Sequence, residues 1–172
     1  LAECMTSLCR EQQNAPGYEV LIIDNASEDG SVEYLQKEWC GEGVRLISLP
    51  ENTGFCHAVN LGIREAKTPY VILLNNDTKA EAGFVRGLYD AIRENEKIFS
   101  VSAKMLMWDR PELIDDAGDR YCVLGWAYSR GKGRPAADYD KSVPQFSACG
   151  GAAIYRRSVY EEIGYFDEEH FA

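Results

Sequence analysis

Three polar segments sit at the carboxyl ends of apolar runs. Asp24 closes Glu19-Val-Leu-Ile-Ile, Pro50-Glu-Asn-Thr-Gly-Phe55 follows Val44-Arg-Leu-Ile-Ser-Leu49, and Asn75-Asn-Asp-Thr78 follows Tyr70-Val-Ile-Leu-Leu74. Asp24, Asn52 and Asp77 are therefore the first candidates for chemistry, because carboxylates and amides can bind the hydroxyls and N–H groups of a polar ligand. The six cysteines, Cys4, Cys9, Cys40, Cys56, Cys122 and Cys149, contain no C-x-x-C pair, and in a chain of this size they read as free thiols of a reducing compartment, most of them small buried hydrophobes. Cys56-His57 is the one adjacent Cys/His pair, yet neighbours on a helix point about 100° apart and make a poor nucleophile–base couple. The formal charge of −10, from 18 Lys+Arg and 28 Asp+Glu, repels a phosphate backbone and excludes nucleic acid as a partner. A phosphorylated ligand would need a cation to mediate its binding.

The elements that position these residues follow from periodicity. Leu1, Met5 and Leu8 predict an opening amphipathic helix that ends near the Asn14-Ala-Pro-Gly17 turn. Strands are expected over 19–24, 44–49 and 70–75, apolar throughout as parallel strands buried on both faces are. Between them lie a helix on Val32, Leu35 and Trp39 and another on Phe55, Val59, Ile63 and Ala66, the latter capped by Asn52 or Thr53 and stopped at Thr68-Pro69. A helix on Phe84, Leu88 and Ile92 and a fourth strand over 98–103 follow. Residues 121–139, rich in Gly, Arg and Tyr, read as a long mobile loop. Residues 146–155 read as a strand broken by small residues, and Ser158 as the cap of a short helix through Val159 and Ile163. The order predicts a single α/β domain, an open, mostly parallel, Rossmann-like sheet flanked by helices, with its ligands at the carboxyl ends of the strands. The 172 residues fit one such domain. No apolar run approaches the roughly 20 residues that cross a bilayer. No signal peptide is visible, and without an initiator Met the sequence is expected to be an excerpt.

Four strings, Ile22-Ile-Asp-Asn-Ala-Ser27, Glu51-Asn-Thr-Gly-Phe-Cys-His-Ala-Val-Asn-Leu-Gly-Ile63, Leu73-Leu-Asn-Asn-Asp-Thr78 and Ala148-Cys-Gly-Gly-Ala-Ala-Ile-Tyr-Arg-Arg157, resemble, in order, segments of family 2 glycosyltransferases of the GT-A fold, particularly the rhamnosyltransferase-like branch. Ile163-Gly-Tyr-Phe-Asp-Glu168 extends the match. The resemblance implies an inverting, metal-dependent enzyme that moves a sugar from a nucleotide-diphosphate donor to a hydroxyl of a cell-surface glycan or lipid-linked precursor. It implies that Asp77, in an Asn-x-Asp form of the D-x-D motif, holds Mn²⁺ or Mg²⁺, and that Asp24 meets the nucleotide's base or ribose. Asn52, Gly54, Asn60, Asn75 and Asn76 would belong to the donor side, Gly150 and Gly151 would line the sugar, and Asp167 and Glu168 would begin the acceptor side.

The general base is expected beyond Ala172 and the family's first strand before Leu1, so that 1–172 reads as a partial domain. His57 stands where the family often carries a small residue and receives no catalytic role; a packed or solvent-facing ring is expected. Simpler readings compete at the same positions: an Asx-turn at Asp24, a helix cap at Asn75–Thr78, a strand bulge at Gly150-Gly151. The family's activity implies a cytoplasmic protein, with peripheral association at the inner face of the plasma membrane. Two other functions stand beside the transferase. One is a sugar-nucleotidyltransferase, which would normally carry a Gly-rich, Arg/Lys-bearing phosphate loop; the other is a non-catalytic domain that binds nucleotide-sugars.

Overall fold

The computed structural model describes residues 1–11, 15–41 and 43–169. Asn14 of the expected first turn and the chain end at Ala172 lie outside the described residues. The elements run α1 (Ala2–Glu11), β1 (Val20–Asp24), α2 (Ser31–Glu38), β2 (Val44–Ser48), α3 (Phe55–Glu65), β3 (Tyr70–Leu74), α4 (Phe84–Arg93), β4 (Ser100–Ser102), β5 (Met105–Leu106), β6 (Ile114–Asp116), β7 (Asp119–Tyr121), β8 (Ala127–Ser129), a 3-10 turn (Ala136–Tyr139), β9 (Ala152–Arg156) and α5 (Arg157–Ile163).

β1 and β2 form the parallel ladder, in register from Val20–Val44 to Asp24–Ser48. β3 joins a second sheet in the order β3-β9-β4, antiparallel to β9 on both sides. Among the described residues β1 bonds to β2 and β3 to β9, each along one edge, and most residues of β1 and β3 are half-buried instead of enclosed on both faces.

Side chains alternate across each strand. Ala153 and Tyr155 of β9 face one core with Ile63 of α3 and Tyr160 of α5, joined by Val71 and Leu73 of β3. Ile154, between them, faces Leu88 and Ile92 of α4, as does Ile72. Helices thus cover both faces of this sheet. Met5 of α1, Leu35 of α2 and Val44 of β2 close a further core over Val20 and Ile22. On the opposite side of β1, Ile23 lies 3.5 Å from where a Cβ on Gly62 would stand, so α3 packs against both sheets and ties them together.

Several sequence expectations are corrected. Neither Asn52 nor Thr53 caps α3 with its side chain; the cap is Gly54, at φ 83°, a backbone angle that a residue with a Cβ rarely adopts. Asn75–Thr78 does not cap α4, which starts at Phe84 after Gly83; the Thr78 hydroxyl donates instead to the carbonyl of Asn75 at 2.7 Å. Residues 121–139 are not a loop throughout. β7 and β8 pair as a hairpin whose tip closes through Cys122 and Trp126, and the 3-10 turn follows. β5 and β6, which periodicity did not predict, form another hairpin. The strand expected over 146–155 begins at Ala152, after a turn that carries Gly150 and Gly151. Ser158 lies within α5, whose cap is Arg156. Ile163 is 69% exposed, because Tyr160 holds the core position of this short helix.

Tyr160 packs among Phe99, Tyr155, Tyr165 and Phe166 with ring centroids 5.4–5.9 Å away. Its hydroxyl is buried with no hydrogen-bond partner among the described residues, and burial pushes the phenol well above its ordinary pKa. An unsatisfied buried hydroxyl destabilises by about 1–3 kcal/mol. Tyr160→Phe keeps the ring and removes the orphan, so it is expected to raise stability by about 1 kcal/mol in denaturant titration; a loss of similar size would show that the hydroxyl has a partner.

Candidate active site

The loops at the ends of β1 and β2 are fastened to each other. Asn25 is the fastener: its Nδ2 donates to Asn52 Oδ1 at 3.0 Å and to the Gly54 carbonyl at 3.2 Å, while its Oδ1 accepts from the Thr53 N–H at 2.9 Å and the Thr53 hydroxyl at 3.1 Å. Asn52 Oδ1 accepts in turn from the Gly54 N–H at 3.0 Å. Asp24, buried behind them, accepts from the Ser27 N–H at 3.2 Å, three residues on and so one residue beyond the bond of an Asx-turn. No bond to its second oxygen, Oδ1, occurs among the described residues. Between these bonds Ala26 is held at φ 63°, a left-handed conformation that is uncommon for a residue with a Cβ and that clusters at functional sites.

The end of β3 meets the turn before β9. The Asn75 N–H donates to the Gly151 carbonyl at 2.9 Å, and a Cβ on Gly151 would stand 3.4 Å from Asn75 Nδ2. A Cβ there would rest in ordinary contact with the Asn75 amide, so the two segments abut. A Cβ on Gly150 would lie 3.6 Å from the ring of Phe55, the first residue of α3. The three rim segments therefore converge: Asn25, next to Asp24, is bound to Asn52 and Gly54, Phe55 abuts Gly150, and Gly151 abuts Asn75. Asn75, Asn76 and Asp77 are exposed beside this junction. Among the described residues no three His, Cys, Asp or Glu side chains come together as a metal site.

Asn60 does not lie on that rim surface. It is fully buried, its Nδ2 donates to the Phe166 carbonyl at 2.8 Å and to Glu168 Oε1 at 2.7 Å, and its Oδ1 accepts from the Phe166 N–H at 3.0 Å. The amide is consumed within the chain and holds the 166–169 segment, with Asp167 and Glu168, onto α3. His57 reinforces the clasp, Nδ1 lying 2.8 Å from Glu168 Oε2, and Arg64 donates to Oε1 at 3.3 Å while it stacks over the Tyr165 ring at 4.6 Å. Neither a packed nor a free solvent-facing ring describes His57.

Hydrogen bonds from Asn60 and then His57 hold the Glu168 carboxyl below its ordinary value of 4.5. A depressed carboxylate contributes its stability above the unfolded value and loses it as pH falls through the folded one. Hydrogen-exchange protection at the Phe166 amide is therefore expected to fall as pH drops below about 4.5, and Glu168→Gln should remove that pH dependence. A pH-independent protection factor in the unmodified chain would contradict the clasp.

Sequence reasoning also missed Asp116 and Asp119, although Asp115-Asp-Ala-Gly-Asp119 is a visible acidic run. Asp116 is buried and accepts from the Gly118 N–H; burial and then the Asp116 charge raise the Asp119 carboxyl, which accepts from the Ser147 hydroxyl at 3.3 Å. Both carboxylates also help burial to raise the Cys149 thiol, next to Gly150.

Residues of this chain are similar to those of several known proteins. It is 27% identical over 169 residues to the uncharacterized glycosyltransferase YwdF of Bacillus subtilis (strain 168), covering 98% of this chain and 58% of that protein. It is 31% identical over 115 residues to a teichoic acid poly(glycerol phosphate) polymerase of Staphylococcus epidermidis, covering 65% of this chain and 15% of the polymerase. The chain thus spans less than two thirds of each relative. The mannosyltransferase PcManGT of Pyrobaculum calidifontis, solved with GDP-Man and Mn²⁺, superposes with a TM-score of 0.65 over 98% of this chain and 44% of its own, at 16% identity, which is a likeness of fold. That fold is GT-A, a mixed α/β domain with helices about a parallel ladder. Residues 1–164 match the family model described as Glycosyl transferase family 2. The chain belongs to glycosyl transferase family 2.

Proposed function

We propose that this chain carries the donor site of an inverting, metal-dependent glycosyltransferase that passes a sugar from a nucleotide-diphosphate donor to a hydroxyl of a cell-surface glycan or lipid-linked precursor. The observation that carries the reading is the convergence of Asp24, the Asn52–Phe55 loop, Gly150-Gly151 and Asn75 on one rim, with Asp77 exposed beside them. Asp24 Oδ1 would accept from a base N–H or a ribose hydroxyl. Asn52 and Gly54, locked by Asn25, would give the donor a preorganised wall, and the missing side chains at Gly150 and Gly151 would leave room for a sugar ring. Asp167 and Glu168, held by Asn60, would border the acceptor.

The residues fit a hard divalent cation. Asp77 offers an exposed carboxylate, and the amide oxygens of Asn75 and Asn76 are hard donors beside it. The lack of a three-ligand cluster among the described residues suits Mg²⁺ or Mn²⁺ that takes one or two ligands from protein and the rest from phosphate and water. Asp77, with Asn75 and Asn76, would hold the ion, which would supply charge neutralisation for a departing nucleoside diphosphate, a need sharpened by the chain's own charge of −10. We assign the general base to none of the described residues.

The four motif strings support the rhamnosyltransferase-like branch, and the likeness to a teichoic acid polymerase supports a cell-envelope acceptor met at the cytoplasmic face of the membrane. No helix among the described residues is long and apolar enough to cross a membrane.

A thermal-shift screen of nucleotide-sugars with Mn²⁺ tests the reading. A donor at 100 times its Kd should stabilise the chain by about 2.7 kcal/mol. No shift with any donor would contradict it.

A further inference from the structure

The β7–β8 hairpin presents an apolar tip with nothing packed on it. Val123 is 102% exposed, Leu124 80% and Trp126 71%, all within the turn that the Cys122 N–H closes on the Trp126 carbonyl. Behind the tip stand aromatic rings with polar ends: Tyr121, stacked on the exposed Phe146 with ring centroids 5.2 Å apart, and Tyr128. Next come cations. Residues 119–138 contain Arg120, Arg130, Lys132 and Arg134 against Asp119, on β7 itself, and Asp138, a local excess of positive charge in a chain whose net charge is −10.

Some of that charge is engaged locally. Lys132 pairs with Asp115 at 3.0 Å, and Arg130 donates to the Ala117 carbonyl at 3.3 Å and stacks over Tyr139 at 4.6 Å. Arg120 and Arg134 have no carboxylate partner among the described residues. Arg120 and Tyr128, paired across the hairpin, open onto a cavity of about 290 Å³ that Arg130, Asp138 and Tyr139 also line.

We propose that this hairpin docks the chain on an anionic lipid bilayer, with Val123, Leu124 and Trp126 entering the interface and Arg120 and Arg134 meeting the phosphate headgroups. Contiguous exposed apolar surface marks an interaction site. The order from the tip backwards, aliphatic, then Trp and Tyr, then Arg, follows the polarity gradient of a membrane interface, where Trp and Tyr collect at headgroup level and basic residues meet anionic lipid. A convex two-stranded tip also enters lipid without needing a complementary groove. Charge favours this orientation: the acidic remainder is repelled by an anionic surface, whereas segment 119–138 holds four cations against two carboxylates. The docked hairpin leads to the donor rim, because its base is bridged at Asp119 to Ser147, a short step before Gly150-Gly151.

The inference stands apart from donor binding, so vesicle and nucleotide-sugar experiments fail independently. The test is flotation of the full chain with vesicles of phosphatidylcholine alone and of phosphatidylcholine mixed with phosphatidylglycerol. Binding is expected to the mixed vesicles, weak binding to the neutral ones, and release as salt shortens the Debye length to about 3 Å near 1 M. Leu124→Ser with Trp126→Ser should weaken binding at least about tenfold, and Arg120→Gln with Arg134→Gln should flatten the salt dependence. These side chains are exposed, so the circular dichroism of both variants should match that of the unmodified chain. Independently of those variants, brominated lipid should quench tryptophan emission in the unmodified chain more than in Trp126→Phe. Absence of binding at low salt, equal binding by the tip variant, or self-association of the chain through Trp126 without vesicle binding would each overturn the proposal.

Discussion

Asp77→Ala is expected to reduce the affinity for a nucleoside diphosphate in Mn²⁺ to the metal-free level while leaving the melting temperature unchanged. The side chain is exposed, no hydrogen bond to it occurs among the described residues, and α4 begins only at Phe84, so the carboxylate has no visible structural task. Without it, the amides of Asn75 and Asn76 offer dipoles in place of a charge, too little to hold a hydrated divalent ion against water. Donor turnover should fall about 10²–10³-fold, the usual scale for losing one element of charge stabilisation at a leaving group. Isothermal calorimetry with Mn²⁺ and with EDTA checks the binding part. Unchanged metal-dependent affinity in the variant would remove Asp77 from the site.

Asn60→Ala is expected to be the most destabilising substitution near the site, by about 3 kcal/mol in denaturant titration, because it orphans two groups that each carry a penalty of about 1–3 kcal/mol when buried and unsatisfied. Asn60 is fully buried, and its amide bonds to both the N–H and the carbonyl of Phe166. The Phe166 ring packs on Tyr160 at 5.7 Å, so release of the segment also loosens the aromatic core beneath it. Asn60→Asp should be worse than alanine at neutral pH, since it puts a second carboxylate at the 2.7 Å contact with Glu168 Oε1 and removes the donor to the Phe166 carbonyl. Acidification should narrow the difference between the two variants. A loss below about 1 kcal/mol for alanine would mean that solvent replaces the clasp without penalty.

The local elements were legible where periodicity is strong. Val20–Asp24, Val44–Ser48 and Tyr70–Leu74 announce themselves as apolar runs, and Leu88 with Ile92 as a helical stripe. The pairing of β9 between β3 and β4 was not, because Tyr155 meets Val71 and Ser100 through contacts far apart in sequence that leave no local signature. The β7–β8 hairpin was read as a loop because strands as short as Asp119–Tyr121 and Ala127–Ser129 fall below any periodicity window. Caps were misjudged for a different reason: Gly30, Gly54 and Gly83 start their helices by backbone angle, with no side-chain hydrogen bond to advertise it.

At the site, the motif strings located the rim but not the division of labour within it. Asn25, which the motif strings contain without a role, binds two loops together, whereas Asn60, expected on the donor side, is turned inwards to Phe166 and Glu168. Helical spacing places a residue on a face; it does not say what covers that face. The His57–Glu168 contact spans 111 residues and required the fold.

Paramagnetic broadening of amide resonances by sub-stoichiometric Mn²⁺, with a nucleoside diphosphate present, tests most directly whether the Asp77 rim holds a metal-bridged donor. Broadening is expected first at Asn75–Thr78 and Gly150-Gly151, and it should vanish from those residues in Asp77→Ala. Broadening centred elsewhere, with Asn75–Thr78 and Gly150-Gly151 unaffected in the unmodified chain, would contradict it.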